Sequence, residues 1–261
     1  MTRSGKVYLI GAGPGDPELM TLRAARMLSE ADAVVHDRLV SPEILATAPA
    51  GARRVPVGKS PGCHTVPQKR INEILAELAG AGLVVARLKG GDPLIFGRGS
   101  EEAAFLMARG IPVEVAPGIT AAQGAAAATG VPLTHRGLAN GVHFLTGHRE
   151  KNRPLDLDWK RLANPETTLV VYMGMANIGQ IALCLIAEGM PGDLPVLAIA
   201  NATTPREMRC LTRLDRVAVN MVGWSTGGPV LFLIGQVVSL YAAQETTIPG
   251  LAEHLRAAAH A

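Results

Sequence analysis

Val7-Tyr8-Leu9-Ile10-Gly11-Ala12-Gly13-Pro14-Gly15-Asp16-Pro17 joins an apolar run to a turn built of glycine and proline. A short apolar run with no polar alternation fits a strand buried on both faces. It breaks into a turn of glycine and proline. Thr21 then stands where a helix cap belongs, and Leu22, Ala25 and Leu28 share one face of the helix that runs to Ala31. Strand, glycine turn and helix form the first half of a strand–helix–strand crossover.

The same alternation continues along the chain. Strands are predicted at Ala33–His36, Arg54–Val57, Leu83–Leu88 and Val113–Val115. Helices are predicted from Pro67, with Ile71, Ile74, Leu75 and Leu78 at helical spacing, at Glu101–Arg109 and at Ile119–Thr129. Repeated crossovers imply a mostly parallel sheet, because parallel neighbours need a long connection. Ligands in such folds sit beyond the carboxyl ends of the strands. The segments 11–18, 37–41, 58–66, 89–99 and 116–120 all follow strands, so they are candidates for one cleft. A second region carries strands at Val142–Thr146, Thr167–Tyr172, Val196–Ala200, Met208–Thr212 and Val230–Ile234. Its helices are expected at Ile178–Glu188 and Leu251–Ala259, and Arg149–Leu157 reads as a polar loop. The boundary falls near residues 134–141, giving an α/β chain of two domains, 1–136 and 137–261.

Composition excludes several classes. Of 261 residues, 48% are hydrophobic and 18% charged, enough for a sizeable core and too apolar for whole-chain disorder. Aromatics at 3% argue against stacking platforms for nucleic acid, and a net charge of +3 is too mild for a nucleic-acid partner. No apolar run is long enough to span a membrane, and the amino terminus does not read as a signal peptide. Cys63, Cys184 and Cys210 are widely spaced, with no CxxC pair. The expectation is a soluble cytoplasmic protein with no metal.

Gly11–Pro17 is not a dinucleotide fingerprint. GxGxxG needs a third glycine where Asp16 stands, and Pro14 and Pro17 remove amide donors that a pyrophosphate would use. Its plain alternative is a rigid turn. The segment Lys89-Gly90-Gly91-Asp92-Pro93-Leu94-Ile95-Phe96-Gly97-Arg98-Gly99 lets main chain approach a ligand, although Gly-Gly-Asp-Pro is also a β-turn and Ile95 and Phe96 also suit a core. Asp92 suits a ribose or amine, and the planar fork of Arg98 suits a carboxylate. Thr120 and Ala121 open an alanine-rich helix, where Thr120 serves equally as a cap. Asp37 and Lys59 each follow a strand, as a solvated charge does or as a base and an anion holder do. Thr134-His135-Arg136 and Thr146-Gly147-His148-Arg149 place basic pairs near the boundary, without the spacing of a metal site. Met173 and Ala202 follow strands in the second region.

YLIGAGPGDPELMTLRAARML (8–28), ADAVVHDRLV (31–40), VGKSPGCHTVPQ (57–68), RLKGGDPLIFGRGSEE (87–102), PGITAA (117–122) and GVPLTHR (130–136) together resemble the uroporphyrinogen III C-methyltransferases of the tetrapyrrole methylase family. The resemblance spans roughly Val7 to Val238. It implies two α/β domains with the active site in the cleft between them, and a homodimer. It also implies S-adenosyl-L-methionine as methyl donor, S-adenosylhomocysteine as product, and methylation of uroporphyrinogen III at C2 and C7 to precorrin-2. Some family members carry a fused sirohaem-forming module, for which 261 residues leave no room.

By resemblance, Pro14, Gly90, Gly91, Asp92, Ile95, Thr120, Ala121, Met173 and Ala202 match cofactor contacts. Asp37 and Lys59 match proton-transfer positions. Arg98, Glu101, Arg136 and His148 match substrate-binding positions, Arg98 also a base. The chemistry favours alignment of two reactants and removal of a proton from the methylated ring. Asp37 suits that task where burial raises its pKa, whereas an arginine base is harder because its pKa lies above about 12. Arg98 is therefore expected to clamp substrate. Rival readings are a methyltransferase acting on a later precorrin, a nucleotide-dependent oxidoreductase using Gly11–Gly15 and Asp37, and a tetrapyrrole carrier without turnover.

Overall fold

The computed structural model of the chain describes residues 5–58, 66–148 and 155–241. The chain divides into two compact units, residues 1–124 and 125–261.

In the first unit β1 (Lys6–Gly11), β2 (Ala33–His36), β3 (Arg53–Pro56), β4 (Val84–Lys89) and β5 (Val113–Ala116) pair in the order β3-β2-β4-β1-β5. Every pairing is parallel. The central strands β1 and β4 are buried on both faces, which explains their unbroken apolar character. The edge strand β3 exposes Arg53 and Arg54, charges that blunt a free edge.

Helices α1 (Leu22–Ser29) and α2 (Pro42–Ala46) cover one face, where Met27, Leu28 and Ile44 pack on Tyr8, Ile10, Val34 and Leu88. Helices α3 (Gln68–Gly80) and α4 (Gly99–Met107) cover the other, where Ile71, Leu75 and Leu106 pack on Val7, Leu9, Val35 and Val85. Thr21 caps α1 by accepting from the Ala24 amide, as its sequence position predicts. Pro67 is the cap residue of α3, one place before the first helical residue. Helix α2, capped by Ser41 accepting from the Ile44 amide, has five residues and is too short to show as a periodic helix.

Helix α5 (Ala121–Thr129) follows β5, and the two units meet inside it. The 1–136 and 137–261 division falls later, in the stretch leading to the second sheet. Either division leaves β1–β5 on one side and all later strands on the other.

The second unit holds β6 (Gly141–Thr146), α6 (Trp159–Leu162), β7 (Thr167–Tyr172), α7 (Ile178–Ala187), β8 (Pro195–Ala200), β9 (Met208–Arg213), α8 (Val217–Asn220) and β10 (Val230–Ile234). The sheet order is β6-β7-β10-β8-β9. Only β6 and β7 pair in parallel; β10 is antiparallel to both β7 and β8, and β9 is antiparallel to β8. The short link Asn201–Glu207 forces the last reversal, since a parallel crossover needs a dozen or more residues. Leu169, Val171, Ile178, Leu185, Val196 and Phe232 form its main core. The expected helix Leu251–Ala259 lies outside the described residues. Among the described residues, no helix is long and apolar enough to cross a membrane.

At the carboxyl edge of the first sheet, main chain meets main chain. A β-carbon built on Gly118 would overlap the Gly91 carbonyl oxygen and crowd Gly11. A β-carbon on Gly51 would meet nothing within 4 Å. Gly118→Ala is therefore expected to lower the unfolding free energy by about 1–3 kcal/mol. Gly51→Ala is expected to stay within about 0.5 kcal/mol of the parent. Urea denaturation followed by circular dichroism checks both.

Candidate functional site

The segments following β1, β4 and β5 form one connected main-chain lattice. The Ala12 amide donates to the Lys89 carbonyl at 2.8 Å, and Gly13 and Gly91 exchange amide–carbonyl bonds of 3.2 and 2.7 Å. Gly91 takes a positive φ of 68°, a backbone state cheap only for glycine. Asp92 ties the neighbours in: one carboxylate oxygen accepts from the Gly118 amide at 3.0 Å and the other from the Leu94 amide at 2.8 Å. Both oxygens that suit a ribose or amine thus already brace the wall. Thr21 Oγ1 donates to the Pro117 carbonyl, joining the start of α1 to the same edge. Pro14, Gly90 and Ile95 lie half-buried along this edge, and a β-carbon on Gly90 would press on Leu39 at 2.9 Å.

Thr120 is buried, and it exchanges bonds with Gln123: the Thr120 amide donates to the Gln123 side chain, and the Gln123 amide donates to Thr120 Oγ1. That reciprocal cap explains the threonine and leaves the half-buried Ala121 as the first helical residue. The structure thus brings Pro14, Gly90, Gly91, Asp92, Ile95, Thr120 and Ala121 to one edge of one sheet.

The segment Pro93–Gly99 is strained. Phe96 and Arg98 both have positive φ, 52° and 59°, a conformation that costs L-residues energy and clusters at functional sites. Phe96 is 41% exposed rather than core. Arg98 grips Glu101 with two bonds, 2.9 Å from Nε and 2.6 Å from the second nitrogen. That hydrogen bond raises the Arg98 pKa above its usual value and lowers that of Glu101. Arg98 is thereby held as a guanidinium paired with Glu101.

Asp37 sits in an ionic setting rather than an apolar one. Its carboxylate meets Arg87 at 2.7 Å and Lys89 at 3.5 Å. Both cations lie on the β4 face that α3 and α4 cover, and both also reach Glu102 at 3.2 Å. Glu102 is fully buried, and Gln68 donates to it as well, at 2.9 Å. Burial, then the neighbouring Arg87, pushes the Lys89 pKa below its usual value. Arg87, Lys89 and Glu102 were missed in the sequence. A signal existed: positions 87 and 89 put two charges on one face of an otherwise apolar central strand. Lys59 lies outside the described residues.

In the second unit, β6, β7 and β8 run the same way, so their following segments share an edge. Gly147 and His148 after β6 lie beside Met173 and Gly174 after β7: the Gly147 amide donates to the Tyr172 carbonyl at 2.7 Å, and Asn177 donates to the Gly147 carbonyl at 2.7 Å. Met173 is 51% exposed at a positive φ of 53°. Ala202 follows Asn201, whose buried side-chain amide donates to the carbonyls of Arg206 and Thr226 and whose φ is also positive. Arg136 and His148 are exposed, Arg136 in a turn closed by the His135 amide donating to the Ala139 carbonyl. Among the described residues, no group of His, Cys, Asp and Glu could hold a metal ion.

Residues 6–218 match the family described as Tetrapyrrole (Corrin/Porphyrin) Methylases. A uroporphyrinogen-III C-methyltransferase of Paracoccus denitrificans is 56% identical over 94% of this chain and 85% of its own length. A siroheme synthase of Methylococcus capsulatus is 50% identical over 90% of this chain, which spans about half, 50%, of that protein. A solved Thermus thermophilus uroporphyrin-III C-methyltransferase, complexed with S-adenyl homocysteine, is 44% identical with a TM-score of 0.77, covering 90% of this chain and 100% of that one. A cobalt precorrin-4 methyltransferase aligns with a TM-score of 0.79 at 27% identity, over 89% of this chain and 95% of that one. With a family match over most of its length and α/β sheets of the same architecture, this chain belongs to the tetrapyrrole methylase family.

Proposed function

We propose that the chain is an S-adenosyl-L-methionine-dependent uroporphyrinogen III C-methyltransferase, acting as a cytoplasmic homodimer. In this reading it methylates C2 and C7 to give precorrin-2 and two S-adenosylhomocysteines. The observation that carries the reading is the 56% identity to the Paracoccus enzyme over 94% of this chain and 85% of that one. The glycine-lined edge agrees with it, since a nucleoside donor needs space where side chains would stand.

A bound sulfonium supplies an already activated methyl group, so this chain's work is alignment and proton removal. Alignment of two reactants accounts for roughly 7–11 kcal/mol of barrier in favourable cases. Gly90, Gly91, Thr120 and Ala121 offer main-chain contact to the donor, with Pro14 and Ile95 as walls and Asp92 as the brace. Met173 and Ala202 are assigned to the donor by resemblance to the family. Arg98, fixed by Glu101, clamps a carboxylate of the substrate rim, as do Arg136 and His148. Methyl transfer moves the sulfonium's positive charge onto the pyrrole ring, and Asp37 takes the proton whose loss discharges it. Lys59 assists that transfer.

Anaerobic assay of methyl transfer from labelled donor to uroporphyrinogen III tests the reading. Asp37→Asn is expected to lower kcat by about 10²–10⁴-fold while S-adenosylhomocysteine binding is kept. Arg98→Ala is expected to raise the substrate KM by at least about tenfold, because a charge-assisted double contact is lost. Full single-turnover methylation in Asp37→Asn, with loss in Arg98→Lys at unchanged substrate affinity, would exchange the two roles.

A further inference from the structure

The least explained group in the first unit is Glu102. It is a fully buried carboxylate whose Oε1 receives Arg87 Nε, Lys89 Nζ and Gln68 Nε2, while Oε2 has no hydrogen-bond partner among the described residues. A buried ionic cluster is a weak stabiliser, and well-packed apolar residues serve a core as well or better. This cluster is not placed at random. Arg87 reaches Glu102 through Nε and Asp37 through a terminal guanidinium nitrogen, and the single ammonium of Lys89 lies within reach of both carboxylates. Two cations thus stand between two carboxylates, one buried and one 28% exposed at the carboxyl edge.

From this geometry we infer that Glu102 is a positioning residue for methyl transfer. It holds Arg87 and Lys89 so that Asp37 is aimed at the ring and offset by a fixed charge. The inference rests on Asp37 as the proton acceptor. Concentrating its three donors on Oε1 leaves Glu102 a single anchor point for both cations. The two cations are thereby shared between two carboxylates instead of resting on Asp37 alone.

The other groups that bear on this cluster are few. His36 Nδ1 lies 3.3 Å from the Asp37 carbonyl. Asn72 accepts from Gln68 on α3. Arg98 and Glu101, at the start of α4, interact electrostatically with Glu102 and Lys89 respectively. None of these contacts substitutes for Glu102 between Arg87 and Lys89.

The test is the pH dependence of single-turnover methyl transfer, with S-adenosylhomocysteine affinity measured alongside. Glu102→Gln keeps the shape and removes the negative charge, leaving two cations on Asp37 alone. The rising limb of the rate profile should move to lower pH by on the order of one unit, with a lower plateau and unchanged S-adenosylhomocysteine affinity. Lys89→Met removes one cation, and its limb should move by a similar amount to higher pH. Opposite movements are a signature that loss of packing cannot produce, and Lys89→Met decides if Glu102→Gln does not fold. Folded variants that keep the parent profile, while Asp37→Asn loses the limb, would overturn the inference alone. If Asp37→Asn itself keeps the parent rate and profile, the assignment of Asp37 and the inference built on it are both overturned.

Discussion

Close approach of bare main chain at the end of a parallel sheet is the constraint on which the first unit turns. Gly11, Gly91 and Gly118 come from three segments and meet with no side chain between them. Parallel pairing of β1 with β4 and β5 delivers all three segments to one edge. The double amide–carbonyl exchange of Gly13 with Gly91 and the grip of Asp92 on the Gly118 amide then fix their spacing. What remains is a rigid wall of carbonyls and amides with little bulk, suited to a ligand that must be held in one orientation.

Next to that wall the chain separates two kinds of charge. Arg98 and Glu101 are exposed, paired to each other and carried on a backbone with positive φ, so a cation is presented in a defined direction. Arg87, Lys89 and Glu102 are buried beneath α3 and α4, and only Asp37 at the border of that cluster reaches the edge. The exposed charge is open to a ligand, while the buried charge holds one carboxylate in place. Burial works against the charged form of Lys89, which makes its two carboxylate partners the reason it remains useful in that place.

Much of the fold was legible because central parallel strands must be apolar throughout. Val7–Ile10 and Ala33–His36 announce themselves, and Thr21 marks the start of α1. The second sheet was not legible as mixed, because strand runs look alike in either direction; its sense is set by link lengths such as Asn201–Glu207. Helices α2, α6 and α8 are too short for a 3.6-residue period to register. The glycine segments were visible as sites of close approach, but not their partners, since Gly11 and Gly118 are far apart in sequence. Arg87, Lys89 and Glu102 escaped notice for the same reason. A charge inside a strand or helix reads as solvated until the neighbouring element that pairs with it is known.

The proposed function requires the glycine-lined edge to receive a sulfur nucleoside. Isothermal titration of the folded protein with S-adenosylhomocysteine measures that directly. A saturable binding heat with one site per chain is expected, and folded protein that gives no heat would refute the assignment of that edge.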